Sequence, residues 1–295
     1  MTRKSPHIAL VTGSRMPKPD VETPFLVAAL SDLQLASEIV PWDSAEFDWS
    51  AVPLVLLRTP WDYSQRSTEF LAWAERVSNV TQLLNPFPLV KWNCHKSYMR
   101  DLQEHGVRIV PTQWLPKGAD VVQDIGPLLL SHMGKVVAKP AIGVGANGSK
   151  LDDAQSPDFV AHLETLLSQG DVLLQPYVPS VAVRGEKSLI FFEGSFSHCV
   201  RKVPANGDYR VQDRYGGTVQ EDAPTLQELA EAEKVIAAMT EIAGPSLYAR
   251  VDLVEWEDAP ALMELEVIEP QLFFKFAPHS AQGLAQSLKD QLTAV

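Results

Sequence analysis

The chain has 295 residues, 45% of them apolar and 21% charged, with a formal net charge of -12. That size and balance support two or three packed units and exclude disorder on a large scale. The acidic residues are spread along the chain and no basic stripe offsets them, which excludes nucleic acid or an anionic membrane as a bulk-charge partner; a small anion held by local cations stays open.

Residues 7–11 form a short apolar strand, too brief for the core of a signal peptide. Residues 22–35 have an apolar helical face, 36–40 and 52–57 are further strands, and 70–77 a helix, with Pro86 and Pro88 closing the unit. This alternation predicts a parallel α/β sheet. The loop Arg58-Thr59-Pro60-Trp61-Asp62-Tyr63 then falls at the carboxyl end of a strand, where such sheets bind ligands. A second unit starts near Asn93, with a helix over 96–105 ended by Gly106 and a strand over 107–110 closed by Pro111. A helix near 121–132, a strand over 135–139, a glycine-rich loop, a helix over 157–168 and a strand over 172–178 follow. Beyond residue 181 the pattern turns β-rich. Residues 188–192 and 196–201 make a hairpin around Glu193-Gly194, and 225–243 a long helix. A second hairpin, 251–256 with 261–268, turns at Glu257-Asp258, and a helix over 280–292 follows. The expected divisions are 1–92, 93–178 and 179–295. No apolar run reaches the ~18 residues of a membrane span, and Cys94 and Cys199 are the two cysteines. Together these point to a reduced, cytoplasmic protein without a disulfide framework.

Residues 143–148 spell G-x-G-x-x-G, but a dinucleotide fingerprint requires a helix opening directly after the glycines. Here Ser149-Lys150-Leu151-Asp152-Asp153 follows instead. The other functional reading is a loop between two strands that folds over phosphates through its backbone N–H groups, with Lys139 at the end of the preceding strand. A glycine-rich surface turn beside an incidental lysine competes with it.

Glu264 and Glu266 share one face of a strand, and a turn near Asp258 brings Asp252 alongside. Three converging carboxylates call for a hard cation; a solvated acidic face is the alternative. Val, Leu and Met between the acids predict a central strand. Gln175-Pro176-Tyr177-Val178 ends a strand with freed backbone groups. Arg201, Lys202, Arg210 and Arg214 form a basic cluster suited to carboxylate or phosphate, with Lys202 the member most readily explained as surface charge. The seven histidines lie too far apart, with no i, i+4 pair, to suggest a transition-metal site.

A lysine at a helix start, a lysine with a glycine loop, an adenine-type edge, arginines and an acidic hairpin occur in the order found in the ATP-grasp superfamily. The chain resembles that superfamily over nearly its whole length, best from Lys96 to Pro270. Within it the chain is most similar to the O-ureido-serine cyclo-ligases, through the loop Arg58–Tyr63 and the stretch Glu264-Leu265-Glu266-Val267-Ile268-Glu269-Pro270.

The resemblance implies an α/β (α+β) ATP-grasp fold: a Rossmann-like N-terminal domain, a mobile lid subdomain and a C-terminal β-rich subdomain carrying the metal site. It implies ATP and Mg²⁺ as cofactors. Lys96 and Lys139 would hold phosphates, with Gly143, Gly145, Asn147, Gly148 and Ser149 in the covering loop. Gln175, Tyr177 and Val178 would frame adenine, and Glu186 the ribose. Asp252, Glu264 and Glu266 would bind metal. Many relatives have Glu-x-Asn where this chain has Glu264-Leu265-Glu266, and Glu269 leaves open which acid is the outer member.

The implied reaction activates an amino-acid-type carboxylate as an acyl phosphate, for attack by an amine of the same molecule. Arg210 and Arg214 would act with Lys139 in catalysis, and Arg58, Asp62, Tyr63 and Arg201 in substrate binding. An intermolecular amino-acid or dipeptide ligase and a non-catalytic ATP sensor are the alternatives. The implied partner is a small amino-acid-like molecule, with homo-oligomerisation resting on the likeness alone.

Overall fold

The computed structural model describes residues 7–15, 20–121 and 134–293; the helix expected near 121–132 falls almost wholly outside them. The chain builds three sheets. In the first, β1 (Ile8–Thr12), β2 (Ser37–Pro41), β3 (Leu54–Thr59) and β4 (Gln82–Leu84) run parallel in the order β2-β1-β3-β4. β1 over residues 8–11 and β3 over residues 54–57 are apolar because both faces are covered. Leu10 and Leu56 pack toward α1 (Thr23–Asp32) and α8 (Pro278–Thr293), while Val11 and Val55 pack toward α2 (Ser67–Ser78).

Two expectations change here. The first helix stops at Asp32 rather than residue 35, because Gln34 turns left-handed at φ 61° and Leu35 N–H closes back on Leu30 O. Leu33 and Leu35 continue the apolar pattern from beyond that turn, packed on the same core. Pro86 and Pro88 do not end the unit. They open α3 (Phe87–Asn93), in whose first turn a proline's missing N–H has no helical partner to lose.

The second sheet, β5 (Gln113–Leu115), β6 (Lys135–Pro140), β7 (Lys150–Asp153) and β8 (Val172–Pro176), is antiparallel in the order β5-β8-β6-β7. α5 (Pro157–Gln169) seals it through Phe159, Leu163 and Leu167. The glycine segment joins antiparallel β6 to β7, so no helix follows the glycines and the dinucleotide reading fails.

The third sheet has the order β11-β10-β9-β12-β13, from β9 (Glu186–Phe192), β10 (Ser195–Val203), β11 (Thr218–Asp222), β12 (Tyr248–Trp256) and β13 (Ala259–Glu266). Both hairpins turn as expected, with positive φ at Glu193 and Gly194 and at Glu257 and Asp258. α6 (Ser180–Arg184) precedes β9, and α7 (Leu226–Ala243) starts on a Thr225/Glu228 capping box. Each hairpin contains a register shift: between Phe196 and His198 in β10, and between Asp252 and Leu253 in β12.

β13 ends the order of its sheet and is not the central strand expected. Its outer edge is nonetheless covered, which explains its apolar content. Residues 107–110, expected as a strand, supply one bridge: Val110 N–H donates to Leu262 O and Leu262 N–H to Arg108 O. Pro111 cannot extend this pairing. Side chains finish the edge. Tyr98, at the start of α4 (Tyr98–Glu104), accepts from Leu265 N–H at 2.9 Å, and Asn93 bonds both Leu265 O and Val267 N–H. These contacts fix the α3–α4 corner, and Lys96 within it, against the acidic strand.

Candidate active site

The site is one face of the third sheet. Register sets Asp252 opposite Glu264, Arg250 opposite Glu266, Ser188 beside Asp252 and Lys202 opposite Glu186. Oxygen atoms of Asp252, Glu264 and Glu266 lie within 4.8 Å of one another. Glu269 is outside that set and hydrogen-bonds the Tyr63 hydroxyl instead.

Such a cluster persists only with compensating charge. Lys202 Nζ is 3.0 Å from Asp252 and 2.5 Å from Glu186, Lys96 Nζ is 3.0 Å from Glu264, and Arg250 pairs with Asp252 at 2.9 Å and with Glu266. Burial opposes the charge on Asp252, yet Arg250 and Lys202, with the Ser188 hydroxyl at 2.6 Å, hold its carboxyl below the usual range. Burial pushes Glu266 up to about 7 against the pull of Arg250, with Glu264 and Asp252 adding repulsion. Glu269 is driven well above the carboxylate range by burial and by Glu266. The donor set, three carboxylates of which Asp252 and Glu264 are held below the usual range and Glu266 is pushed up to about 7, fits a hard divalent cation such as Mg²⁺, which would replace the repulsion with shared coordination.

Lys139, ending β6, faces the same cluster, and burial lowers its ammonium pKa. The glycine loop arches beside it. Lys96 Nζ donates to Gly143 O at 2.9 Å, Arg214 to Gly145 O, and His162 meets Gly148 O at 2.8 Å. Gly145 and Gly148 have φ of 58° and 73°, and Asn147 and Ser149 N–H bond back within the loop to Val144 O and Ala146 O. Gln175 is buried; its Nε2 donates to Thr112 at 2.9 Å, while its Oε1 has no partner. Val178 lies in the apolar wall next to Met263, and Tyr177 N–H is taken by Lys135 O.

Other anticipated residues sit apart. Arg201 pairs with Asp222 at 3.2 Å, away from the carboxylates. Arg210 is tied to Asp208 at 2.8 Å and stacks 3.6 Å above Tyr215. Asp62 is buried with both oxygens engaged, by Trp42 Nε1 at 2.9 Å and Arg15 N–H at 3.2 Å. Arg58, 1% exposed, lies between Tyr248 and Phe274, 4.0 Å from Glu22, with its Nε and Nη1 unpartnered. Tyr63 is buried against Phe70, and burial raises its hydroxyl pKa.

Sequence reasoning missed two residues. Lys202, taken for surface charge, is 5% exposed and central. Arg250 sits two positions before Asp252, so strand alternation alone puts both on one face.

Residues 8–85 match the family described as the N-terminal domain of D-cycloserine synthetase DcsG, and residues 118–272 that described as the ATP-grasp domain of prokaryotic glutathione synthetase. The cycloserine biosynthesis protein DcsG of Streptomyces lavendulae is 34% identical over 97% of this chain and 98% of its own length. The glutathione synthetase of Pseudomonas putida is 29% identical over 115 residues, 38% of this chain and 33% of its own. The crystal structure of D-cycloserine synthetase DcsG superposes with a TM-score of 0.89 at 33% identity, covering 97% of this chain and 99% of that one. The D-alanine–D-alanine ligase of Bacillus anthracis complexed with ATP shares the fold, at a TM-score of 0.68 and 17% identity, with 98% of each chain covered.

Proposed function

The chain belongs to the ATP-grasp carboxylate–amine ligases, with the cycloserine biosynthesis protein DcsG among its relatives, and we propose that it closes a ring within one amino-acid-type substrate. ATP-dependent ligation is the chemistry of that family. The intramolecular reaction on an O-ureido-serine-like molecule is the finer reading, and the match of residues 8–85 to the cycloserine synthetase N-terminal domain supports it.

One observation carries the assignment of the site: three carboxylates within 4.8 Å, framed on one sheet face by Lys96, Lys202 and Arg250. Asp252, Glu264 and Glu266 would hold Mg²⁺, which when bound neutralises the phosphate charge. Lys96, Lys139 and Lys202 bind phosphate oxygens, Lys96 and Lys202 exchanging carboxylate partners for them. The N–H groups of residues 143–149 cover the phosphates, with Arg214 bracing the loop at Gly145. Val178 and Met263 wall the base, where the free Gln175 Oε1 accepts from an exocyclic amine. Glu186 lies nearest the sugar and keeps Lys202 oriented.

In this reading the substrate carboxylate attacks the γ-phosphate and ADP leaves, giving an acyl phosphate whose carbonyl oxygen Arg250 stabilises as it becomes an oxyanion in the next step. A nitrogen of the same molecule then attacks and phosphate leaves; holding both ends in one pocket supplies much of the rate. The substrate is held from the N-terminal side, where the Tyr63–Glu269 pair borders the acidic face.

The test is phosphate release from Mg·ATP across amino acids and their ureido and aminooxy derivatives, with product masses recorded. Release with a cyclised product from one substrate is expected. Release requiring two substrates, with a joined mass, would replace this reading by an intermolecular ligase. ATP binding without turnover on any substrate would leave a sensor.

A further inference from the structure

The three lysines facing the acidic sheet are held differently. Lys96 and Lys202 are locked in ion pairs with Glu264, Glu186 and Asp252. Lys139 instead donates to a sulfur, its Nζ lying 3.2 Å from Met263 Sδ. A thioether is a weak acceptor, so this ammonium leaves for a phosphate at little cost. The sulfur therefore serves as a soft rest for a cation that must stay transferable.

Met263 lies on β13 immediately before Glu264, partly buried, packed on the small apolar cluster that includes Val178, Val181 and Val211. Of the described methionines, Met99 and Met239 are 1% and 0% exposed, whereas Met263 is only partly buried. Among the described methionines Met263 is therefore the one least shielded from small oxidants.

We propose that Met263 is a redox-sensitive modification site, at which oxidation of the thioether by a peroxide lowers nucleotide affinity through Lys139. The sulfur lone pair attacks one peroxide oxygen, the O–O bond breaks, and the sulfoxide forms. The second oxygen takes up protons and leaves as water, so sulfur loses the two electrons the peroxide gains. The new oxygen is a far stronger acceptor than the thioether, on a sulfur 3.2 Å from Nζ. It captures the Lys139 ammonium that a phosphate would otherwise receive, and it puts a dipole into an apolar wall. Reduction of the sulfoxide by a methionine sulfoxide reductase restores the soft contact. The proposal rests on the reading of Lys139 as a phosphate-holding residue.

The experiment treats the full chain and its M263L variant with hydrogen peroxide, maps added oxygen by peptide mass, and titrates a non-hydrolysable ATP analogue by calorimetry. Each protein is compared with its own untreated form. Expected is one oxygen on the Met263 peptide and a loss of affinity of about tenfold or more, as a hydrogen bond to a charged group implies. The reductase should reverse the loss, and M263L should keep its untreated affinity within about twofold. Full oxidation of Met263 with unchanged affinity, an equal loss in M263L, or oxidation that spares Met263 would each overturn the proposal. An untreated protein that binds no analogue would overturn the phosphate role of Lys139 and this proposal with it, an outcome distinct from those three.

Discussion

Replacing Arg250 by methionine separates its structural duty from its chemical one. The side chain is 7% exposed and makes three hydrogen bonds to Asp252, between 2.9 and 3.2 Å, besides its bond to Glu266. Methionine keeps most of the volume and removes the charge, leaving two buried carboxylates short of a counter-ion. Breaking one side of a buried pair costs about 3–5 kcal/mol. Lys202, still 3.0 Å from Asp252, retains part of the compensation, so the lower end, about 3 kcal/mol, is expected. For a chain of this size that lowers the melting temperature by roughly 6–12 °C. A divalent cation supplies the missing charge, so Mg²⁺ should raise the variant's melting temperature more than the parent's. Loss of an oxyanion donor lowers kcat by about 10²–10³, and Mg²⁺ does not restore that. Calorimetric melts with and without Mg²⁺, beside phosphate-release rates, read both effects. A metal-free variant melting within about 2 °C of the parent, or an equal gain from Mg²⁺ in both proteins, would refute the electrostatic account of the site.

Lys202→Met should weaken binding of a non-hydrolysable ATP analogue by about tenfold or more, while Arg201→Met changes it by less than about twofold, measured by nucleotide titration. Equal effects would show that the two faces of β10 are wrongly assigned. Gly13→Ala places a methyl group 2.2 Å from Asp62 Oδ1, and overpacking of this kind should cost about 1–3 kcal/mol in urea unfolding. The pH dependence has a defined sign at His198, whose imidazole burial holds below its ordinary value while Nε2 donates to Leu272 O at 2.8 Å. Its contribution to stability is complete above the unfolded value of about 6.5 and falls as pH drops through that range. His198→Gln should flatten the fall in urea midpoint between about pH 8 and pH 5.5; an unchanged slope would remove His198 from the account.

What the sequence made legible, and what it hid, divides along local and long-range causes. Turns and strand identities were local: Glu193-Gly194 and Glu257-Asp258 sit where left-handed backbone is needed, and apolar alternation marked the flanking strands. The edge position of β13 was hidden because its apolar residues are explained by Asn93, Tyr98 and residues 107–110, contacts that no window of sequence contains. The face of β10 was hidden by its register shift, whereas the carboxylate face of the second hairpin was legible because a turn centred near Asp258 already sets Asp252 beside Glu264. Counting from the turn at Glu193-Gly194 sets residue 201 opposite Glu186, and a strict count from a two-residue turn at Glu257-Asp258 would set Met263, not Glu264, opposite Asp252. Each shift moves the pairing by one residue, so Lys202 meets Glu186 and Glu264 meets Asp252. One slip alone would leave the acids without the lysine, or the lysine without the acids, since a single-residue change sends a side chain to the opposite face. Bulges near functional sites re-aim side chains in this way. Here two in separate hairpins are needed together, because the charge balance at Asp252 depends on a residue from each.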